Sequence, residues 1–476
     1  MKGWVFVLCC CCSLLVQAQT YIAKSVKDFG AKGDGKTNDT EAFQKAAAFF
    51  NNRGGQGKLT IPKGTYLVGR QVFSKGDKKK NAYAGANILH FKNCSNLLVE
   101  ASSNAKLSYV AGLRLGAFEP TSGKVYKHSM PNFLDQAFAA IIGYCVFLEN
   151  CTDVTLKNLR LYGNNKTIEF GGNFNDKGIQ LQHYGVFIQN SKRINLYNVY
   201  AGYFGLDGIA VANQAGKEPD AISLRNCTFE YNSRQGLSWV GGNGLVAVNC
   251  QFNHSGKSKY VSPPGAGVDL EAEDGKVRNG FFDSCSFINN SGCGIVANSG
   301  DVANCQFRNC TIWGTTQWAT WITKPGFSFI GCRIYGSTVH GYNASKDEEA
   351  TRYIRCHFED KPYNGQPVFG NYLAESDGVR CMLFDSCSFV ANTKKLCWLT
   401  SGGRQLTERI IVRNCNFLVK TAAFPEGDFV AILRNTLFTN NTIRFTQSIA
   451  EKKRYWAVSA SELDALCTGN KVIYGQ

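Results

Sequence analysis

Short segments in which apolar and other residues alternate recur along the chain, and no helical period of useful length intervenes between them. The clearest form is a phrase of the type apolar-x-(Asn/Ser)-Cys-x-(Phe/Ile). It runs from Leu224 to Phe229, Phe307 to Ile312 and Val412 to Phe417, with relatives around Cys250, Cys285, Cys332, Cys356 and Cys387. From Cys227 to Cys415 the cysteine intervals are 23, 35, 25, 22, 24, 31 and 28 residues. A minimum near 22 with additions of variable length is the signature of a solenoid whose coils carry loop insertions. Earlier copies place Leu159 and Val199 in the cysteine slot. The slot is therefore apolar and inward, and cysteine fills it as a small hydrophobe.

A second strand precedes many copies, as in Val146–Asn150 and Val186–Asn190, and strands led by glycine follow at Gly208, Gly236, Gly267 and Gly294. Several short strands per coil without crossover helices predict an all-β fold, a single-stranded right-handed parallel β-helix. Asn158, Asn198, Asn226, Asn249, Asn309, Asn414 and Asn440 recur at one bend, where a stack of side-chain amides is expected. Parallel strands lie about 4.8 Å apart, whereas a disulfide wants Cβ atoms near 3.8 Å, so the cysteines are expected to form a ladder of free thiols.

An open solenoid end needs a cover. Residues 40 to 50 form the one clear amphipathic helix, with Asn38 and Asp39 as caps and Gly54–Gly55 as the stop. Ahead of it, Lys2, the apolar run Trp4–Val16 and the small-residue site ending at Ala18 read as a secretory signal over residues 1–18. The expected organisation is that signal, an N-terminal cap over 19–70 and β-helix coils over 71–476. No run approaches a membrane span, and the expected location is secreted or periplasmic.

Composition then narrows the partner. With 52 Lys plus Arg against 36 Asp plus Glu, the formal charge is +16. An exported protein this basic suits an acidic polysaccharide. The chain has no basic helix, zinc-finger spacing or aromatic RNA-binding signature, so nucleic acid is not the expected partner.

Two segments, Ser25–Lys45 (SVKDFGAKGDGKTNDTEAFQK) and Leu59–Tyr66 (LTIPKGTY), resemble the opening of the pectate-lyase-like superfamily, in particular rhamnogalacturonase and glycoside hydrolase family 28-related proteins. The resemblance implies a pectin-lyase-like solenoid acting on a polysaccharide. It brings over no catalytic residues: the Asn-Thr-Asp, Asp-Asp, Gly-His-Gly and Arg-Ile-Lys motifs of polygalacturonases and the Arg-x-Pro-x-x-Arg of pectate lyases do not occur, and Asp207-Gly208 is a faint echo only.

One stretch departs from the repeat and carries chemistry: Arg234, Gln235 and Trp239, then His254, Lys257, Lys259 and Tyr260, then Asp269 and Glu271. With Val268 and Leu270 inward, Asp269 and Glu271 face outward together. Aligning the strand-leading glycines places Ala210 and Ala212, Ser238 and Val240, and Val296 and Asn298 beside them. In a regular strand the two Cα atoms would lie about 6.6 Å apart, near the lower edge of the carboxyl spacing of inverting glycosidases.

Three readings stay open. In a glycoside hydrolase, Asp269 and Glu271 are the acid and the base or nucleophile, and no cofactor is required. In a polysaccharide lyase, Arg234, His254, Lys257, Lys259 and Tyr260 supply base and cation, and the carboxylates hold Ca²⁺. In a binding or adhesive solenoid, the carboxylates pair with Arg234 or Arg278 and do no chemistry. Gln235 and Trp239 join the substrate-binding set in the first two. No spacing identifies a metal site. Trp313, Trp318 and Trp321 either stack on sugars or cover the core.

Overall fold

A computed structural model describes residues 21–475 apart from 76–80, most of 119–140, 172–180, 421–429, most of 447–465 and several isolated positions. The signal segment lies outside the described residues.

The alternating segments form three long parallel sheets, of 15, 15 and 13 strands among the described residues. Each coil between the first and the last gives one strand to each sheet, and those two give none to the third. Gln182–Gln189 lies in the third sheet, Lys192–Tyr197 in the first and Tyr200–Gly202 in the second; the next coil repeats the order with Ile209–Ala212, Ile222–Arg225 and Thr228–Glu230. Their partners pair in parallel register, as Val186 with Ile209 and Leu196 with Leu224. This is the right-handed parallel β-helix expected from the pattern.

The repeat is explained by what each position touches. Cys227, Cys250, Cys285, Cys310, Cys332, Cys356, Cys387 and Cys415 are buried at the corner between the first and second sheets. Their thiols donate to carbonyls, those of Cys332 and Cys356 to Phe307 and Phe329 at 3.4 and 3.3 Å. All sixteen described cysteines are free, including Cys293, Cys381, Cys397 and Cys467. Beside them Phe282, Phe307, Phe329, Tyr353 and Phe384 stack with ring centroids 4.7 to 5.1 Å apart.

The asparagines preceding this slot sit in left-handed backbone, Asn226 at φ 54° and Asn309 at φ 54°. Asparagine accepts that conformation more readily than most residues. The amide stack is partial. Asn198 donates to Asn158 at 2.8 Å and Asn249 to Asn226 at 2.7 Å, but Asn309 and Asn414 donate to Asp283 and Asp385.

Helix α1 (Thr40–Asn51) buries Ala42, Phe43, Ala46, Ala47 and Phe50 and packs beside Leu89–Lys92, the first strand of the third sheet. Asn38 caps it by accepting from the Thr40 amide at 3.0 Å. Asp39 binds the amides of Lys32 and Gly33 instead, tying the preceding loop to the helix start. A smaller four-stranded sheet is built from excursions between the second and third sheets in the early coils: Val72–Lys75, Asn81–Ala84, Arg114–Ala117 and Glu169–Gly171.

Candidate functional site on the outer face of the third sheet

The register expected around Asp269 holds at its first row and breaks at its second. Ala210, Ser238, Asp269 and Val296 are paired neighbours on four consecutive coils. Glu271 does not lie level with Asn298, nor Ala212 with Val240. Irregularities in the strands put Glu271 opposite Ser299 and Ala212 opposite Gly241. Strand Val268–Arg278 makes an excursion between Glu271 and Lys276 before rejoining its neighbour. A bulge of this kind re-aims side chains, so the carboxyl spacing of a regular strand does not carry over to Asp269 and Glu271.

Asp269 faces away from the core yet is 4% exposed. Its Oδ2 accepts from Gln235 Nε2 at 2.6 Å. Burial, reinforced by the charge of Glu271, pushes its carboxyl up to about 7; Arg234 and the Gln235 bond oppose the rise, and Asp207 adds to it. A carboxyl poised there holds its proton near neutral pH.

Arg234 and Gln235 come from the loop that enters the third sheet one coil earlier. Arg234 grips Asp207 through two bonds, Nε to Oδ1 at 2.9 Å and Nη2 to Oδ2 at 2.6 Å, while the Gln235 amide donates to the same Oδ1 at 3.0 Å. Asp207 is wholly buried, so this ion pair fixes the loop that carries Gln235 to Asp269. Arg234 is therefore engaged by Asp207, and Arg278 by Asp301, rather than by the outward carboxylates directly.

Two clefts flank the Asp269 row. The N-terminal one, about 370 Å³, is polar and charged, with Tyr184, Phe187, Arg234, Ser238 and Glu273 in its wall. Tyr184 is shifted upward by burial, with Asp207 and Glu273 adding to the shift and Arg234 opposing it. It continues an aromatic patch in which Tyr144 stacks on Phe187 at 4.8 Å and Phe147 on His90 at 4.4 Å. The C-terminal cleft, about 560 Å³, is lined by Val261, Pro263, Pro264, Val296, Trp318 and Trp321 among others.

The structure thus brings Arg234, Gln235, Asp269 and Glu271 together and disperses the rest of the expected set. Trp239 was expected to bind substrate but is a core residue, 1% exposed. Its position shares the inward parity of Leu237, and its indole donates to the Gly241 carbonyl at 3.0 Å. His254 stacks on Tyr231 at 4.8 Å, Lys257 donates to Thr316 at 2.7 Å, and Tyr260 donates to the Ile168 carbonyl at 3.1 Å. Lys259 is exposed and sits over the Tyr260 ring. That loop is anchored by these contacts, and its later residues Val261, Pro263 and Pro264 are what reach the third-sheet face. Trp313 belongs to the second sheet, where it packs on Tyr335.

Asp207, Tyr184, Phe187 and Glu273 were missed from the sequence. Phe187 had a signal: with Val186 and Ile188 inward, it faces outward on the same strand, whereas strict alternation would have placed Tyr184 inside. Among the described residues no group of three or more His, Cys, Asp or Glu side chains could hold a metal ion. No helix among them is long and apolar enough to cross a membrane.

Two family models match the chain, the right handed beta helix region over residues 144–334 and rhamnogalacturonase A/epimerase, pectate lyase-like, over residues 23–89. Together with the fold, the first match shows a right-handed parallel β-helix, and the N-terminal segment is similar to the pectate-lyase-like family. Depolymerase 1, capsule KN3-specific, of Klebsiella phage KN3-1 is 22% identical over 262 residues, which is 54% of this chain and 27% of that protein. Alginate lyase 7 of Azotobacter vinelandii is 54% identical over 44 residues, 9% of this chain and 5% of that protein. Each match therefore spans only a minor part of the relative's length. Among solved structures, the N-terminal fragment of bacteriophage Phi29 gene product 12 superposes with a TM-score of 0.57 at 13% identity, over 94% of this chain and 70% of that one; this likeness is one of fold.

Proposed function

We propose that the protein is an exported polysaccharide-cleaving enzyme that binds an anionic, pectin-like chain across the third-sheet face and hydrolyses it beside Asp269. The observation that carries this reading is an outward carboxyl held near pH 7 by burial and Glu271, bonded to Gln235 and set between two clefts. Asp269 donates its proton to the glycosidic oxygen as the C–O bond breaks. Glu271 takes a proton from the water that completes the sugar carbon, so one water is consumed and each carboxyl exchanges one proton. Arg234 meets the polymer's carboxylates from the N-terminal cleft, and the Tyr184–Phe187 patch offers ring faces for stacking. The names of the two relatives, a lyase and a depolymerase, support a polysaccharide substrate. No cofactor is needed for this chemistry.

Elimination is the second reading. The guanidinium in the N-terminal cleft and the net charge of +16 favour a uronate-bearing substrate. In that case Ca²⁺ would need carboxylates from Asp269 and Glu271, since Asp207 is taken by Arg234. The test presents purified protein with pectic, alginate-like, glycosaminoglycan and neutral polysaccharides, with and without Ca²⁺. New reducing ends without the ultraviolet absorbance of unsaturated uronates, abolished in an Asp269→Asn/Glu271→Gln variant, is the expected result. Absorbance together with reducing ends assigns elimination. Neither signal across the panel leaves a binding solenoid and overturns the enzyme.

A further inference from the structure

The second sheet presents an outward face of its own, carried in the later coils by the strands Arg333–Tyr335, His357–Glu359, Ser388–Ala391 and Asn416–Val419. Parallel register aligns Arg333, His357, Ser388 and Asn416 in one row, while Ile334, Phe358, Phe389 and Phe417 beside them are buried in the core. Glu359, two residues after His357, shares its face. The Ser388 hydroxyl lies 2.8 Å from His357 Nδ1, and His357 Nε2 lies 3.0 Å from Glu359 Oε2. An ionised carboxylate can only accept, so the imidazole keeps its proton on Nε2 and its Nδ1 accepts from Ser388. The carboxylate is itself held, because Asn392 Nδ2 donates to its other oxygen at 3.0 Å. Burial pushes the Glu359 carboxyl up, but the bonds from Asn392 and His357 and the charges of His357 and Lys420 outweigh it and hold the group below the usual range.

A hydroxyl bonded to an imidazole that a carboxylate orients is the arrangement that makes a serine nucleophilic, and it is recognised by geometry rather than by chain order. Here all three groups stand on sheet strands, which fix their spacing. The side chains of His357 and Glu359 are 33% and 18% exposed and Ser388 is half-buried, so a small substrate reaches them. Asn416, the next residue of the row, is exposed, and its side chain makes no hydrogen bond among the described residues. Val390 and Leu418, both half-buried, continue the row through Glu359. We propose that Ser388 and His357, positioned by Glu359, form a second catalytic site that hydrolyses short-chain carboxylic esters. Ser388 Oγ attacks the acyl carbon and its proton passes to Nδ1; that proton goes to the departing alkoxide as the ester C–O bond breaks, leaving an acyl-serine. Water then adds to the acyl carbon and gives a proton to Nδ1, which returns it to Ser388 Oγ as the carboxylic acid leaves. One water is consumed per ester. The Asn416 amide donates to the oxyanion, and Val390 and Leu418 take the acyl chain. The site stands on a different sheet from Asp269 and does not rest on the polysaccharide reading.

The test gives the whole purified protein a fluorophosphonate probe, with the labelled residue located by peptide mass, and separately 4-nitrophenyl acetate. Labelling of Ser388 and turnover of the ester are expected. Ser388→Ala should abolish the label and slow turnover at least about 100-fold, and His357→Gln should slow both to a similar extent, with melting temperatures close to the parent's. Glu359→Gln should lower kcat for the ester with KM unchanged, which a general loosening of the sheet does not do. No label, label on another residue, or a folded Ser388→Ala protein that turns over the ester at the parent rate overturns the site. The last result would mean that an imidazole attacks the activated ester without the serine. The two activities fail separately: ester turnover without polysaccharide cleavage removes the chemistry proposed for Asp269 and keeps this site, and the converse does the reverse.

Discussion

The corner between the first and second sheets and the outer face of the third sheet are built from the same coils, yet they differ in regularity. At the corner, eight consecutive coils place a buried thiol in one slot, and five of them stack an aromatic ring beside it. On the third sheet the coils diverge: strands bulge near Ala212 and Glu271, and one loop, held by the ion pair of its Arg234 with Asp207 of the preceding coil, brings a glutamine to a buried carboxyl. Repetition marks the positions whose only task is to pack coil on coil. Departure from repetition marks the positions where a polar group is held in an environment that costs stability, which is what a functional site requires.

Substitutions in the two regions differ in what they should cost. The largest effect expected at the corner is from Phe307→Ala, which opens a cavity in the ring stack; it should cost about 3–5 kcal/mol in denaturant unfolding while leaving the rate per folded molecule unchanged. At the site, Arg234→Gln leaves the wholly buried Asp207 carboxylate without its cation and should cost about 3–5 kcal/mol, with loss of activity as well; adding Asp207→Asn should recover most of the stability and none of the activity.

Asp269 gives a pH signature of opposite sign to most carboxylates. Its folded-state value lies above its ordinary 3.8, at about 7, so its contribution to stability is fully present below pH 3.8 and is lost as pH rises through about 7. Asp269→Asn should therefore be more stable than the parent above pH 7, by about 1–4 kcal/mol, and the gain should vanish in acid. Thermal melting across pH checks this. Next comes Asn226→Ala, where the left-handed backbone costs alanine about 1–2 kcal/mol. Smallest is Cys227→Val, within about 1.5 kcal/mol, because Val199 and Leu159 already occupy the slot on earlier coils.

The same contrast explains what could be read in the sequence. The inward cysteine slot, the capping helix at 40–50 and the outward row through Asp269 follow from alternation and spacing, because neighbouring coils enforce register. The destinations of His254, Lys257, Lys259 and Tyr260 do not follow, since the loop carrying them has no period and its anchors, Tyr231, Thr316 and Ile168, are distant in sequence. Trp239 could have been read: parity with Leu237 already placed it inside. The level of Glu271 was lost to a bulge, which inserts residues without a sequence signal of its own. Asp207 was visible only as the residue before Gly208; its role needed the neighbouring coil that carries Arg234.

The most direct test of the account is the pH dependence of polysaccharide cleavage by the parent protein and by Asp269→Asn, with folding of both confirmed at each pH. The parent rate is expected to fall as pH rises through about 7, when Asp269 loses its proton, and Asp269→Asn to be at least about 100-fold slower with no such inflection. A folded Asp269→Asn protein that cleaves at the parent rate, with the same pH profile, would contradict it.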